Sequence, residues 1–375
     1  MTALAVPARF AFVMEQTLGH VAHTRNLERA LASEDWIESS VIMLPFEASG
    51  RLRRLPGLRN WSFRASLMAR TALWRRMRQG PLDAVFIHTQ VVALLSVGIM
   101  RAVPTVVSLD ATPKNFDDVG VAYGHHRAGA MLETAKAALV RRALVAAEAL
   151  VTWSRLAADS LVRDYGIPAG RIHVIPPGVD IERFRHPGMR RADGPLRVLF
   201  VGGDLERKGG IDLLDALRGM PDIELDIVTA DEVTPPAGVR CRVHRGLRPA
   251  DPTLLDLYRR ADVFAMPSRG DCMPQALAEA AAAGLPLVST PVGAIPEIVS
   301  DGRNGLLVPA GSPSDLRRAL RLLAANSAMR QAMGRESLAL ARREHDAMVN
   351  HRRIFDLMAA SARIGLRGRA WVKAG

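Results

Sequence analysis

Two carboxylates eight positions apart, Asp271 and Glu279, stand in the run "PSRGDCMPQALAEAAAAGLPLVST" from Pro267 to Thr290. Asp271 precedes a helix that Pro274 can start, because the first turn does not need the N–H that proline lacks. Glu279 lies inside that helix, among alanines. Gly284 suits the helix end, and Pro286 keeps the helix from continuing. An unpaired carboxylate on a short apolar helix is costly, so the acids need polar partners. Hydroxyls of a bound ligand would serve, with the ribose of a nucleotide an obvious candidate for Glu279. An arginine partner or a solvent-facing position is the plain alternative.

A second run, "FVGGDLERKGG" from Phe200 to Gly210, puts a strand and two glycines, one of them Gly203, before Arg207, Lys208 and a helix. Glycines let a ligand approach the backbone closely, and a helix N-terminus favours an anion. Two adjacent cations would neutralise a diphosphate. The spacing is not a P-loop, since no Ser or Thr follows Lys208, and it is not G-x-G-x-x-G. A solvated surface turn is the alternative here.

The elements that must hold these residues alternate between short apolar strands and Ala/Leu/Arg-rich helices, the pattern of βα units and parallel sheets. "RFAFVME", "DAVFIHT", "PTVVSLD" and "ALVTWS" read as strands of a first unit. "RVLFVGG", "IELDIVT", "ADVFAMPS", "LPLVST" and "GLLVPA" read as strands of a second. Between them, Ile175 to Arg197 is rich in Pro, Gly and charge, which is linker composition. The expectation is an α/β protein of two doubly wound domains facing each other across a cleft. The first covers 1–180, a linker 181–196, the second 197–347, and a helical tail 348–375. Ligands of such sheets gather at the carboxyl ends of the strands.

Composition bounds the class. A chain of 375 residues fits two ordinary domains. Apolar residues at 49% and charged residues at 23% describe a globular chain. Two cysteines, Cys241 and Cys272, far apart, argue against a disulfide scaffold and suit a reducing cytoplasm. The N-terminus lacks the pattern of a signal peptide. The longest apolar run, Val91 to Met100, reads as a buried helix, since a bilayer span needs about twenty residues. The net charge of +12 rests almost wholly on arginine. It points to acidic partners or to codon bias in a GC-rich genome.

From Arg51 to Gly80 the chain carries nine arginines and no acid, with Phe63, Leu67, Thr71 and Trp74 near one helical stripe. Such a helix, over Arg51–Arg78, can lie on an anionic membrane surface. The alternative is a surface helix packed by its aromatic residues. Nucleic acid is not an expected partner, because no recognised module accompanies the charge.

The run Tyr258 to Pro309 resembles the donor-binding half of family 4 glycosyltransferases, whose E-x7-E mark stands here as Asp271-x7-Glu279. "FVGGDLERKGG" is similar to the family's phosphate-binding segment. "EQTLGHVAHTRNL", "FIHTQ", "SLDATP" and "YGHH" extend the likeness into the first half. The resemblance implies a GT-B fold, final helices that cross back onto the first domain, and retention of configuration at the transferred sugar. It implies Glu279 on the donor ribose and Arg207 with Lys208 on the diphosphate. It also implies Asp271 on the donor hexose, Gly293 alongside, and Gly19 facing the phosphates from the first domain.

The chain departs from the family twice. Asp271 replaces the usual first Glu. Leu109 stands where many relatives carry a His, leaving Asp110 as the retained acid and, with Asp271, the expected catalytic pair. His88, His125 or His126 would have to supply the imidazole. His20 and His23 lack a third ligand for a metal. No D-x-D signature occurs, so transfer without metal or cofactor is expected.

The expected donor is a UDP-, GDP- or ADP-sugar. The acceptor is a glycan, a lipid-linked or a small molecule, in bacterial surface polysaccharide or glycoconjugate synthesis. The expected location is the cytoplasm, with peripheral attachment to the inner face of the membrane. The rivals are a sugar-nucleotide epimerase of the same fold and a sugar-nucleotide-binding protein without catalysis.

Overall fold

The computed structural model describes residues 7–17, 19–45, 60–123, 129–186, 194–249 and 251–363. Two six-stranded sheets organise it, and every recorded strand pair in them is parallel. The first contains β1 (Ala8–Gln16), β2 (Ile37–Pro45), β3 (Ala84–His88), β4 (Thr105–Leu109), β5 (Ala149–Thr152) and β6 (Ile172–Val174). The second contains β7 (Leu196–Val201), β8 (Ile223–Val228), β9 (Arg240–His244), β10 (Val263–Ala265), β11 (Leu287–Ser289) and β12 (Gly305–Leu307).

The orders are β2-β1-β3-β4-β5-β6 and β12-β11-β10-β7-β8-β9. In each sheet the chain runs outward from the first strand on one side, through β2 or through β8 and β9, and then resumes on its other side with β3 or β10. Crevices therefore open beyond β1 and β3 in one half, and beyond β7 and β10 in the other. These crevices take the loops in which the acids and cations of the sequence lie.

Central strands are buried on both faces and read as continuous apolar runs, as β3, β4 and β10 do. β2 ("IESSVIMLP") and β9 ("RCRVH") escape a search for apolar runs. Each is an edge strand with few buried residues, so Glu38, Ser39, Arg240 and Arg242 cost little there. The run Val91–Met100 folds as two short helices, Gln90–Ala93 and Val97–Ala102, rather than one. No helix among the described residues is long and apolar enough to cross a membrane.

Helix α1 (His20–Leu31) follows β1 and buries His23, Thr24, Leu27 and Ala30, a helical stripe. Helix α2 (Trp61–Met77) turns its small residues inward, burying Ala65, Ser66, Ala69 and Leu73. Phe63, Leu67 and Trp74 face outward. The aromatic stripe therefore does not pack this helix against the domain. Residues 51–59, the first part of the basic segment, lie outside the described residues.

The last described helix, Ala347–Ser361, returns to the first sheet and buries Ile354, Phe355 and Met358 there. Phe355 meets Phe12 of β1 edge-on at 5.8 Å. Arg352 pairs at 2.8 Å with Glu34, an acid buried in the first half. Burial of three large apolar side chains stabilises this docking by about 2 kcal/mol each.

Candidate functional site

In the second half, three loops at the carboxyl ends of strands converge. Lys208, after β7, forms an ion pair with Asp271, after β10. Arg207 binds Asp204 at 2.9 Å, donates to the Gly270 carbonyl at 3.0 Å, and lies 3.9 Å from Asp271. Asp271 and Lys208 are only 7% and 15% exposed, so each supplies the counter-charge that burial of the other demands. The backbone fixes the arrangement, with Arg269 N–H donating to the Arg207 carbonyl at 2.8 Å. The Thr290 hydroxyl, after β11, donates to the Ser268 carbonyl at 2.6 Å.

Glycine is required at specific points of these loops. Gly293 has a φ of +56°, and a Cβ there would lie on the Asp271 carbonyl oxygen. Gly209 has a φ of +77°, and its Cβ would strike the Pro267 carbonyl. Gly203 is exposed, and a Cβ there would meet no protein atom within 4 Å. Packing makes no demand for glycine at Gly203, so any demand must come from a ligand.

The helix Gln275–Ala282 starts one residue later than expected, with Pro274 as its N-cap. Glu279 on this helix accepts a hydrogen bond of 2.7 Å from the Tyr258 hydroxyl. Burial raises its pKa to about 7, and the Tyr258 bond acts in the opposite direction. The sequence suggested a ligand, an arginine or water as its partner. Tyr258, 21 residues upstream, was not visible as one, because no spacing rule links neighbouring strands' flanks.

In the first half, Gly19 begins α1 without a side-chain cap. A Cβ at Gly19 would press to 3.2 Å on Gln275 Cγ of the other half. Asp110 follows β4 and accepts from the Ala111 N–H at 2.9 Å. The imidazole beside it belongs to His20, whose Nε2 lies 3.9 Å from Asp110 Oδ2. Burial opposes charge on His20, yet Asp110 and Glu15 leave its pKa above the usual value.

His88 does not reach the cleft. It is fully buried beneath His20, stacked on Trp153 at 5.0 Å, with its pKa pushed well down by burial. His23 shares that setting and stacks on His351 at 5.0 Å. His125 and His126 lie outside the described residues. Leu109 is fully buried in the core. No group of three or more His, Cys, Asp or Glu among the described residues is arranged to hold a metal.

Two cavities lie along the seam between the sheets. One, of about 410 Å³, is lined by Glu279 and Gln275 with Arg25, Asn26, Pro249 and Phe184. The other, of about 310 Å³, is lined by Asp271, Cys272 and Gly293 from one half and Asp110, Asn115 and Ser154 from the other. The structure thus brings Asp110, Asp271 and Gly293 to one chamber and puts Glu279 in the next.

The larger chamber is crossed by contacts that sequence reasoning missed. Arg25 donates to the Pro249 carbonyl at 2.6 Å, Asn26 to the Gly178 carbonyl at 2.7 Å, and Arg29 pairs with Asp180 at 2.6 Å. The spacing of Arg25 and Arg29, one turn apart on α1, was the signal available.

Two family models match the chain, one on each half. A family model described as Glycosyltransferase Family 4 matches residues 19–183. One described as Glycosyl transferases group 1 matches residues 195–326. A D-inositol 3-phosphate glycosyltransferase of Xylanimonas cellulosilytica is 33% identical over 226 residues, 53% of this chain and 54% of its own. One from Paenarthrobacter aurescens is 33% identical over 218 residues, covering 52% and 53%. The matches span about half the length of these relatives.

Among solved structures, a sucrose-phosphate synthase of Thermosynechococcus elongatus superposes with a TM-score of 0.73 at 17% identity, over 93% of this chain and 98% of that one. HepE of Anabaena, in complex with UDP and glucose, gives 0.66 at 16% identity, over 94% and 99%. At such identities the likeness establishes the fold.

Proposed function

We propose, from the premise that this chain belongs to the glycosyltransferases of the family 4 type and has their GT-B fold, that it moves a hexose-type sugar from a nucleotide diphosphate donor to a hydroxyl acceptor. The observation that carries the reading is the separation of the paired acids. Glu279 opens into the larger cavity and Asp271 into the smaller, with Lys208 and Arg207 beside Asp271. A nucleotide in the larger cavity sets its ribose at Glu279. The sugar then occupies the smaller cavity between Asp271, Gly293 and Asp110.

On this reading the second half binds the donor and the first half supplies the acceptor side. Departure of the diphosphate builds negative charge, and fixed cations lower that barrier without a metal. Retention of configuration and metal-independence belong to the same proposal. Closure of the two halves on the donor would exclude water and so favour transfer over hydrolysis. A glycan or lipid-linked acceptor of surface polysaccharide or glycoconjugate synthesis fits the outward α2. Its exposed Phe63, Leu67 and Trp74 stand beside Arg64 and Arg78, each lying over a tryptophan ring. That face suits the anionic inner surface of a membrane.

The direct test is a binding and turnover screen with UDP-, GDP- and ADP-sugars, beside Glu279→Ala and Lys208→Ala. Slow donor hydrolysis that disappears in both variants supports the assignment and names the donor. Full turnover after addition of a chelator is the expected result for the metal-independent reaction. Conversion of the donor to an epimer with no acceptor present would move the assignment to the epimerase. Donor binding without turnover under every acceptor condition would leave a non-catalytic binder.

A further inference from the structure

His20 occupies a position that the sequence did not single out for catalysis. Its Nδ1 lies 3.0 Å from Thr17 Oγ1, and the Thr17 hydroxyl donates to Glu15 Oε1 at 3.1 Å. With that hydroxyl's proton committed to Glu15, Nδ1 must carry its own proton and donate to Thr17. Nε2 faces the Asp110 carboxylate at 3.9 Å. Both ring nitrogens therefore look toward acceptors, which favours the imidazolium.

The other neighbours are His88 on β3 at 4.5 Å, Trp153 after β5 at 5.3 Å, and His23 on its own helix. His88 and His23 are buried neutral, so no second charge competes. Glu15, buried at the end of β1, and Asp110 are the anions that face it. His20 lines neither cavity itself but adjoins residues of both. A Cβ on Gly19, its chain neighbour, would press on Gln275 of the larger one, and Asp110, its ion-pair partner, lines the smaller.

We propose that His20 is a cationic contact from the first half to the donor's diphosphate, acting from the side opposite Arg207 and Lys208. The inference rests on the nucleotide-sugar reading above, since a ligand spanning both cavities must pass its phosphates between them. In the transfer, the bond from C1 to the β-phosphate oxygen breaks and its electron pair leaves with the nucleotide diphosphate. The acceptor oxygen forms the new bond to C1, and its proton ends on the released diphosphate. His20 keeps its proton throughout. Its Nε2–H, 3.9 Å from Asp110 and so not hydrogen-bonded to it, donates to a phosphate oxygen as charge builds there, a contact stronger in the transition state than before it.

The test is titration calorimetry of UDP, GDP and ADP, with UMP, GMP and AMP as controls, on the full chain from pH 6 to 8.5. His20→Gln is expected to weaken binding of the preferred nucleoside diphosphate about tenfold at pH 6, the worth of one charge-assisted hydrogen bond. Binding of the matching monophosphate should change less than about twofold, being set by the larger cavity. The wild-type advantage should shrink toward one as pH rises past the His20 pKa, because the variant cancels the titration of the phosphates themselves. His20→Lys should keep the affinity and remove that pH dependence.

Asp110→Asn keeps the imidazole and removes its counter-ion, so the loss of affinity with pH should move to lower pH. Equal diphosphate affinity in wild type and His20→Gln at every pH overturns the proposal while leaving the nucleotide reading intact. An unmoved profile in Asp110→Asn overturns it even if the glutamine variant does not fold. Failure of the wild type to bind any nucleoside diphosphate overturns both.

Discussion

The two crevices that face each other across the seam hold their polar residues by opposite means. In the second half, charge is matched with charge: Lys208 with Asp271, Arg207 with Asp204, Arg269 with Asp212 at 2.6 Å. In the first half, imidazoles are stripped of charge instead. Among the described residues neither ring nitrogen of His23 has a hydrogen-bond partner, and His351 has one only at Nδ1, to the Ala347 carbonyl at 2.7 Å. Among the described residues of that stack, His20 at its top is the one with anionic neighbours, Asp110 and Glu15. A buried ion pair is strong while whole and costly when one member is lost. A buried neutral imidazole is tolerated until the pH gives it a proton. The second half should therefore be sensitive to mutation and the first to acid.

The largest effect is expected at Lys208. Lys208→Met leaves Asp271 buried without its main counter-charge, which should lower stability by about 4 kcal/mol. Turnover should fall at least ~100-fold through loss of a fixed cation. Adding Asp271→Leu should restore most of the stability and none of the turnover. Denaturant unfolding and donor turnover of the single and double variants measure both. A single variant as stable as wild type would show that the pair is not the buried ion pair described here.

Acid tests the other side. Burial lowers the pKa of His23, His88 and His351, the last to about 4. Each contributes stability above the unfolded value of 6.5, lost as pH falls toward the folded one. For His351 alone the loss approaches about 3 kcal/mol between pH 6.5 and 4. His345, also lowered to about 4 by burial, acts in the same direction. His20 and Glu279 oppose it. His20 contributes stability below pH 6.5, lost as pH rises through its raised pKa. Glu279, raised from 4.5 to about 7, contributes below pH 4.5 and loses it as pH rises through 7. Unfolding at pH 7 and 5 should show a net acid loss that shrinks in His351→Met. An undiminished loss in that variant would place the acid sensitivity elsewhere.

Tyr258→Phe comes next. It removes the hydroxyl that donates to Glu279 and leaves a half-buried acceptor unpaired, at a cost of about 2 kcal/mol. The cost should be larger at pH 8, where Glu279 is ionised, than at pH 5. The same cost at both would mean that the Tyr258 ring matters more than its hydroxyl.

Much of this contrast was open to a reader of the sequence, but unevenly. Asp271, Glu279, Arg207 and Lys208 sit in two short runs whose glycines and prolines announce loops, so local spacing exposed them. Asp110 was readable from the end of its strand. The first half's chemistry is assembled from β1, β3, β4 and the final helix, between residues as distant as His23 and His351. No local spacing encodes that approach. His20 was set aside because a metal needs three ligands, while its actual neighbours, Thr17 and Glu15, stood within five residues. β2 and β9 went unread because edge strands carry polar residues that central strands exclude.

The smallest effect on the fold, and the third difference between the halves, concerns α2. Trp74 is 55% exposed and lies under the Arg78 guanidinium at 4.7 Å, on a helix whose buried face is made of other residues. Trp74→Ser should change stability by no more than about 0.5 kcal/mol, the range for surface substitutions away from packing. Phe63→Ser should behave alike, since Phe63 also faces outward. If the aromatic and basic face lies on anionic lipid, the double variant should lose co-sedimentation with vesicles containing phosphatidylglycerol. Turnover of a soluble donor by hydrolysis should not change, because neither side chain lines either cavity. Binding to neutral vesicles should be weak in both proteins, and salt should weaken it further on anionic ones. Lipid binding that survives the double variant would remove α2 from the contact. Lost hydrolysis would instead mean that α2 acts on the cleft, through the Trp61 indole that donates to Glu15 at 3.2 Å. In that case the first half joins its surface to its site, and the division drawn between them is too sharp.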